Sequence, residues 1–468
     1  MTDLSLLDAT AQAELVSSGA ATATELVESA IERVEALNPR LNAVIHTAFD
    51  DARTSAASPD LPVGPFSGVP FLIKDIGANQ AGLPYWVGNA ALKAMGNTTD
   101  RDTELGSRFR AAGLVTLGKT NLPELGSVPT TQPLSCGPTN NPWDLTRSPA
   151  GSSGGSGAAV ASGMVPIAHA NDGGGSTRLP AAWNGLVGLK TTRGLVPNPL
   201  NISRLTSELV VTRTVRDTAR LLDAVQGSVD ADMFSTGAQL DPPASPLKVA
   251  VINTGGRLEI SSDCVVAVDR TATVLAEMDH HVEIVDSDHL IGPESRVNGE
   301  LWMANLARRV AALNEIADRE LTADDIEPYN WTSAQRGMSM PAHEYLAATE
   351  RQQAWSNDVI NWMSQYDLLV TPTSGTPPMK TDELWPPDVK PWKISSTYAL
   401  IGLFTLPLNV TGQPAISLPL HWTDEGLPVG VQLVANMGHD QLLLKLAAEL
   451  EVAMAWNDRL PEVHASKL

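Results

Sequence analysis

Two periods of apolar residues run along this chain, and the switches between them mark out its elements. Leu26, Val27, Ala30, Ile31, Val34 and Leu37 recur at helical spacing. Thr22 and Glu25 form a capping-box pair ahead of them and Asn38-Pro39 supplies a stop, so the pattern predicts a helix over 22–38 and then a strand over 41–49. Short apolar runs at 68–75 (GVPFLIKD) and 113–121 (GLVTLGKTN) read as strands, with a helix over 102–112 between them. A helix of small residues lies between Gly151 and Gly163, and 164–170 (MVPIAHA) reads as a buried strand. From Pro246 the pattern is βαβ: LKVAVI is a strand, 264–278 a helix and HVEIVD a strand.

Helices follow around 300–319 and 342–366, then a strand over 367–372. The stretch 375–395, rich in Pro and Trp, reads as a loop. AISLPL and VGVQLVA are late strands, and 441–452 is a closing helix. Strands alternating with helices indicate an α/β fold, with layers of helices around a large sheet. No internal repeat and no clear linker interrupts it.

Composition narrows the picture. The chain has 468 residues, enough for one large α/β domain or for two or three smaller ones, and its formal net charge is −21. That field repels nucleic acid and anionic membranes. Cys136 and Cys264 stand far apart with no paired motif, which suits reduced thiols in a cytoplasmic compartment. MTDLSLLDATAQAELV has neither the basic region nor the apolar run of a signal peptide, and no window approaches the apolar length of a membrane span.

Two motifs fail on context. Gly113–Thr120 spells G-x-x-x-x-G-K-T, but Leu114–Leu117 is apolar and β-prone, so the segment reads as a strand rather than as a phosphate loop after one. Gly151–Gly155 spells G-x-S-x-G, the nucleophile elbow of α/β-hydrolases. Its lead-in, NPWDLTRSPA, is polar and broken by proline, and His421, His439 and His464 have no setting that suggests a triad.

The second glycine run has the context that the first lacks. Ser176 follows a buried strand and Gly173–Gly175. Small residues let successive backbone N–H groups converge on one point, as an oxyanion hole requires, although a plain strand-to-helix turn would also use them. A serine hydroxyl needs a base. His169 lies inside the apolar strand. Lys74, after Phe71-Leu72-Ile73 at a strand end, is the better candidate. A lysine of ordinary pKa is protonated at neutral pH, and lowering it by roughly three units takes about 4 kcal/mol of differential desolvation.

Lys74, the SSGG pair and the GGGS run together make a lysine–serine–serine set, and with GVPFLIKD, GKTNLPELG, CGPTNNPWD, GSSGGSGAAVASG, NDGGGSTRLPAAWNGLVGLKTTRG and NVTGQPAISLP the chain resembles the amidase signature family over almost its whole length. Within that family it is most similar to hydrolases of nylon-type cyclic and linear amides and to arylamide and carbamate hydrolases. The resemblance implies a single domain over 1–468, with a large twisted mixed sheet flanked by helices on both faces, the signature core at about 65–215 and a more variable pocket region at about 290–400. It implies Ser176 as nucleophile, Ser152 as a bridging serine that follows a cis peptide bond, and Lys74 as base. The backbone amides of Gly173, Gly174, Gly175 and Ser176 form the oxyanion hole, and no metal or organic cofactor takes part. Ser153, Asp172 and Arg178 are expected to support the loops.

Three positions depart from the family pattern: Ala150 stands in place of glycine, Asn140 in place of a basic residue and Gly173 in place of threonine. Cys136, Trp302, Trp385 and Trp392 are the candidate pocket residues, alongside 329–340. No cluster built for a charged substrate is visible, so the expected partner is a small neutral amide, anilide, lactam or carbamate, bound by a monomer or homodimer. The alternative is the glutaminase subunit of a tRNA-dependent amidotransferase.

Overall fold

Five consecutive apolar-to-cationic residues, Pro70–Lys74, form a strand buried along its whole length (β2), and the sheet is built outward from it. The computed structural model describes residues 3–198, 205–227, 241–292, 295, 299–384 and 391–468, the side chains of 391–395 excepted. In chain order the strands are β1 (Val44–Thr47), β2, β3 (Val115–Thr120), β4 (Ile167–Asp172), β5 (Val187–Lys190), β6 (Ser207–Thr212), β7 (Lys248–Val251), β8 (His281–Ile284), β9 (Leu368–Pro372), β10 (Ala415–Trp422) and β11 (Pro428–Ala435). They join in one mixed sheet in the order β1-β3-β2-β4-β6-β5-β10-β11-β9-β7-β8. β2 runs parallel to both β3 and β4, and β7 parallel to β8 and β9, whereas β4–β6, β5–β6, β5–β10, β10–β11 and β9–β11 are antiparallel.

Alternation along β2 decides where the chemistry goes. Phe71 and Ile73 pack into the large apolar cluster that also holds the helices Val215–Val225, Ser262–Glu277 and Asp440–Met454. Leu72 faces the other way, into a cluster with the helix Ala23–Leu41 and with Ala158 and Ala159 of the helix Gly154–Ala161. Side chains alternate with period two. Lys74 therefore follows Leu72 onto the face covered by the Gly154–Ala161 helix, whose entry carries Ser152 and Ser153. Because β2 and β4 are adjacent and parallel, their carboxyl ends open on the same edge of the sheet, the usual ligand position in α/β sheets.

Several expectations are corrected. The first amphipathic helix does not stop at Asn38-Pro39 but runs Ala23–Leu41 with Pro39 inside its last turn. There the missing N–H costs little, because Asn38 ties the exit down: its Oδ1 accepts from the N–H groups of Ala43 and Val44 and its Nδ2 donates to the Val44 carbonyl. The capping box at Thr22 and Glu25 is present. The stretch read as a Pro/Trp loop contains a short helix, Thr381–Leu384, and the start of another, Pro391–Ile401. β5, β6 and the helix Pro328–Met338 lie where no element was anticipated. The phosphate-loop look-alike is β3, a core strand.

The Gly154–Ala161 helix sits so close to β3 that a side chain at Gly155 would meet backbone. A Cβ there would lie 2.4 Å from the Asn121 N and 2.7 Å from the Ala43 O. Gly155→Ala should therefore push the helix, and the Ser152 turn ahead of it, away from β2. The expected cost is ~1–3 kcal/mol, read as a lower urea midpoint with an unchanged slope, together with reduced activity. A variant as stable and as active as the parent would show that this contact does not set the helix position.

Candidate active site

Lys74 is fully buried at the carboxyl end of β2. Its Nζ donates to Ser152 Oγ (2.7 Å), Ser153 Oγ (2.8 Å) and Asn171 Oδ1 (2.6 Å), and no carboxylate lies within ion-pairing distance among the described residues. Burial pushes its pKa down to about 7; the more distant charges of Glu208 and Asp172 hold it up, and that of Arg309 lowers it further. A buried cation normally recruits an acid, and this one has only neutral oxygens.

Ser152 follows a cis peptide bond after Gly151. The turn is packed without slack: a Cβ at Gly151 would lie 2.5 Å from the Thr130 N. Ala150, in the place where the family pattern has glycine, takes φ 62°, in the left-handed region that glycine occupies most readily. Ser153 N donates to the Ser176 carbonyl at 3.2 Å, which ties the two serine turns together.

Asp172, the last residue of β4, organises the glycine loop. Burial would raise its pKa, but the Arg178 guanidinium and hydrogen bonds from Arg178 and Asn409 more than offset this and hold the carboxyl well below the ordinary carboxylate range. Arg178 donates through Nε to Asp172 Oδ2 and through Nη2 to Oδ1, both at 2.9 Å, and its remaining donors reach Gln432 Oε1, Asn409 Oδ1 and the Thr405 carbonyl. The carboxylate also takes the Gly175 N–H at 2.6 Å. That corrects the reading of Gly175 as an oxyanion donor, since its amide is already committed to a charged acceptor. The amides of Gly173, Gly174 and Ser176 meet no acceptor among the described residues. A Cβ at Gly175, where φ is +122°, would lie 2.3 Å from Thr405 Oγ1, which itself donates to the Gly174 carbonyl at 2.9 Å.

These groups border one cavity of about 700 Å³. Ser152, Asn171, Gly173, Gly174 and Ser176 line it, with walls that include Ile76, Leu179, Leu205, Trp302, Tyr329, Tyr398 and Leu406. Ser176 Oγ faces the cavity and makes no hydrogen bond to Ser152 or to any other described residue. Trp302 is in the wall, as anticipated. Cys136 is not: its Sγ takes a hydrogen bond from Lys93 Nζ at 3.3 Å and its carbonyl one from Asn42, which draw it towards the Ala23–Leu41 helix end. Trp385 lies outside the described residues, as does the side chain of Trp392.

Sequence reading missed Asn171, Thr405, Asn409 and Arg309. Asn171 could have been found from its place one residue before Asp172, at a strand end. Asn409 lies inside the NVTGQPAISLP segment. His169 is packed in the sheet, with Nε2 3.0 Å from Glu208 Oε2. Among the described residues no group of three His, Cys, Asp or Glu could hold a metal ion, and no helix is long and apolar enough to cross a membrane.

Comparison with known proteins shows the family to which the chain belongs. The family model described as Amidase matches residues 25–444. The 6-aminohexanoate-cyclic-dimer hydrolase of Pseudomonas sp. (strain NK87) is 39% identical over 479 residues, covering 97% of this chain and 96% of the relative. A solved structure of 6-aminohexanoate cyclic dimer hydrolase complexed with substrate superposes with a TM-score of 0.92 at 38% identity, covering 99% of this chain and 100% of the other. A bacterial aryl acylamidase of the amidase signature enzymes superposes with a TM-score of 0.85 at 28% identity, covering 97% and 98%.

Removing either half of the buried Asp172–Arg178 pair leaves a buried charge without its counter-charge. Asp172→Asn should cost ~3–5 kcal/mol, measured as a drop in the urea midpoint. Arg178→Lys should fail to restore stability, because an ammonium cannot reproduce the two-point contact made by Nε and Nη2. Parent-like stability in both variants would show that the pair does not hold the loop.

Proposed function

The chain belongs to the amidase signature family and is a hydrolase of amide C–N bonds, and from that premise we propose that Ser176 is its nucleophile, Ser152 its proton relay and Lys74 its base. One observation carries the assignment: a buried amine with no acid beside it stands 2.7 Å from the hydroxyl of Ser152, in the wall of the cavity that Ser176 faces.

The hydrogen-bond inventory around Nζ orients the base. As a neutral amine, Lys74 has two N–H groups and one lone pair. Asn171 Oδ1 can only accept. Ser153 has a carbonyl, that of Asn171, 3.4 Å away for its own O–H, so it too accepts from the amine. Two acceptors absorb the two N–H groups, and the lone pair is left facing the Ser152 O–H.

Catalysis then runs as follows. A substrate carbonyl enters beside Ser176, and the Ser176 side chain turns to hydrogen-bond Ser152. Ser176 Oγ attacks the carbonyl carbon. Its proton passes to Ser152 Oγ as the Ser152 proton passes to Lys74 Nζ. The developing oxyanion is received by the N–H groups of Gly174 and Ser176, with Gly173 beside them. The C–N bond breaks while the relay runs in reverse and delivers a proton to the departing nitrogen, which an amine needs in order to leave. Water repeats the cycle on the acyl-enzyme ester, releasing the acid and regenerating Ser176.

The apolar walls favour a small amide, anilide or cyclic amide, and carbamate cleavage would follow the same steps. The named substrates of the relatives, a cyclic aminohexanoate dimer and aryl acylamides, fit a cavity of this kind.

A panel of small anilides, a cyclic amide, dicarbamates and glutamine, assayed with purified protein, tests the substrate class. Turnover of glutamine alone, dependent on added partner subunits, would favour the amidotransferase reading instead. Ser176→Ala should lower p-nitroanilide hydrolysis by roughly 10³-fold or more. Lys74→Ala should cripple it too, and near-normal activity of that variant at pH 7 would overturn the relay.

The pH profile carries a sign. The protonated amine is inactive, so kcat/KM should rise about tenfold per unit below an apparent pKa near 7 and level off above it. A flat profile from about pH 5.5 to about 8.5 would refute a lysine base with the depressed pKa.

A further inference from the structure

The helix Gly299–Ala317 sends two side chains into the cavity, Trp302 and, seven residues on, Arg309. That spacing places both on one helix face. Arg309, half-buried, differs from Arg178, the fully buried arginine near the site. Arg178 is saturated by Asp172, Asn409, Gln432 and the Thr405 carbonyl. Arg309 donates through Nη1 to the Leu125 carbonyl and has no carboxylate within ion-pairing distance among the described residues. Glu208, an acid whose field reaches it, is engaged by His169 Nε2 and Asn198 Nδ2, both at 3.0 Å.

A guanidinium has five N–H donors and remains charged. None of the Arg309 nitrogens is both sealed from solvent and without a partner, and the residue lines the cavity. The surrounding charge is unusual for this protein. The chain has 53 acidic residues against 32 Lys and Arg, yet among the described residues the charged side chains lining the cavity are Arg257, Arg309 and Asp288.

Position assigns the half of the substrate that Arg309 meets. Leu125 precedes Gly126, and a Cβ at Gly126 would lie 3.3 Å from Ser152 Oγ. The anchored guanidinium therefore belongs to the Ser152 side of the cavity. Ser152 is the group that returns a proton to the departing nitrogen, so the amine half lies on that side. Resting on the amide-hydrolase reading above, we infer that Arg309 is a specificity-determining subsite for amides whose amine half carries a carboxylate, such as N-acylated amino acids or aminobenzoates. Two parallel N–H···O bonds to that carboxylate fix the leaving amine beside Ser152.

The test compares 4-(butyrylamino)benzoate with its neutral isostere 4-(butyrylamino)benzamide, following release of the free aromatic amine. The wild-type kcat/KM should favour the carboxylate by roughly 10- to 100-fold, the value of a charged hydrogen-bonded contact. In Arg309→Gln the ratio should fall towards one, and Arg309→Lys should recover only part of it. A wild-type measurement stands in should those variants not fold: 4-aminobenzoate should inhibit at least tenfold more tightly than 4-aminobenzamide.

An enzyme that hydrolyses the benzamide but shows no preference for the benzoate overturns the subsite and leaves the amidase reading intact. An enzyme inert on both, and on the p-nitroanilide, overturns the reading beneath it. Preference for a carboxylate on the acyl half, tested with succinanilate, overturns the placement of Arg309 beside the amine.

Discussion

The architecture depends on one electrostatic constraint: an amine removed from water with no acid to neutralise it. Burial alone does not make such a group a base. Lys119 is just as buried, but it has Asn79 Oδ1 at 3.0 Å and Asp75 at 4.0 Å, and against the lowering by burial the Asp75 charge holds its pKa up. Lys190 is the sharper comparison. Burial pushes it down to about 7, as for Lys74, yet among the described residues its hydrogen bond is to the Thr191 carbonyl and it does not line the cavity. A depressed pKa therefore marks three lysines in this sheet. Hydroxyl partners and access to the cavity single out Lys74. The proposal rests on that conjunction and not on the titration of any one group.

Two residues from the end of one strand handle charge in opposite ways. Asp172 is supplied with a guanidinium, an asparagine and backbone N–H groups, so its charge is locked. Asn171, its neighbour, offers Lys74 a neutral oxygen where a carboxylate would have locked the amine in its protonated form. An aspartate at 171 would satisfy the buried amine better and make it a worse base. In the same way, Asp172 fixes the glycine loop by taking the Gly175 N–H, and the amides left without partners are those that border the cavity. Saturation at one atom and starvation at the next divide structural from chemical duty within a few ångströms.

Much of this was legible from local grammar. β2 announces itself as an apolar run that ends in lysine, and its period-two alternation alone places Lys74 opposite Phe71 and Ile73. The capping box at Thr22 and the strand character of Leu114–Leu117 follow from nearest neighbours. What was not legible depends on distant partners. The strand-end position beside Asp172 marks Asn171 as a candidate but does not reveal that its oxygen meets a residue 97 positions away. Gly175 looked like an oxyanion donor because the sequence does not reveal that Asp172 folds back on it. Pro39 read as a stop because the rescue by Asn38 is a side-chain contact. The stretch before Pro391–Ile401 read as loop because proline dominates its composition, while the helix beyond it is held by packing. Trp302 was found as an aromatic on a helix, and Arg309, on the same face, was passed over because arginine on a helix is ordinarily solvated.

That pairing on one helix separates the reaction from the choice of substrate. The atoms proposed to break the bond come from the ends of β2 and β4 and from the turn into the Gly154–Ala161 helix, all locked by backbone contacts that tolerate little change. The cavity wall formed by Trp302 and Arg309 comes from a helix that packs on Val87, Leu92 and Leu125 through Leu306, Val310 and Leu313 and reaches the Leu125 carbonyl through Arg309. Substitutions at Trp302 can alter which amine is held without touching Lys74, Ser152 or Ser176, whereas loss of the Arg309 charge also removes one of the influences that lower the Lys74 pKa. Among the described residues Arg309 places a cation in the cavity wall of a strongly acidic protein. Field lines from such a site draw an anionic group towards it once past the surface, so charge selects at the cavity what the surface as a whole repels.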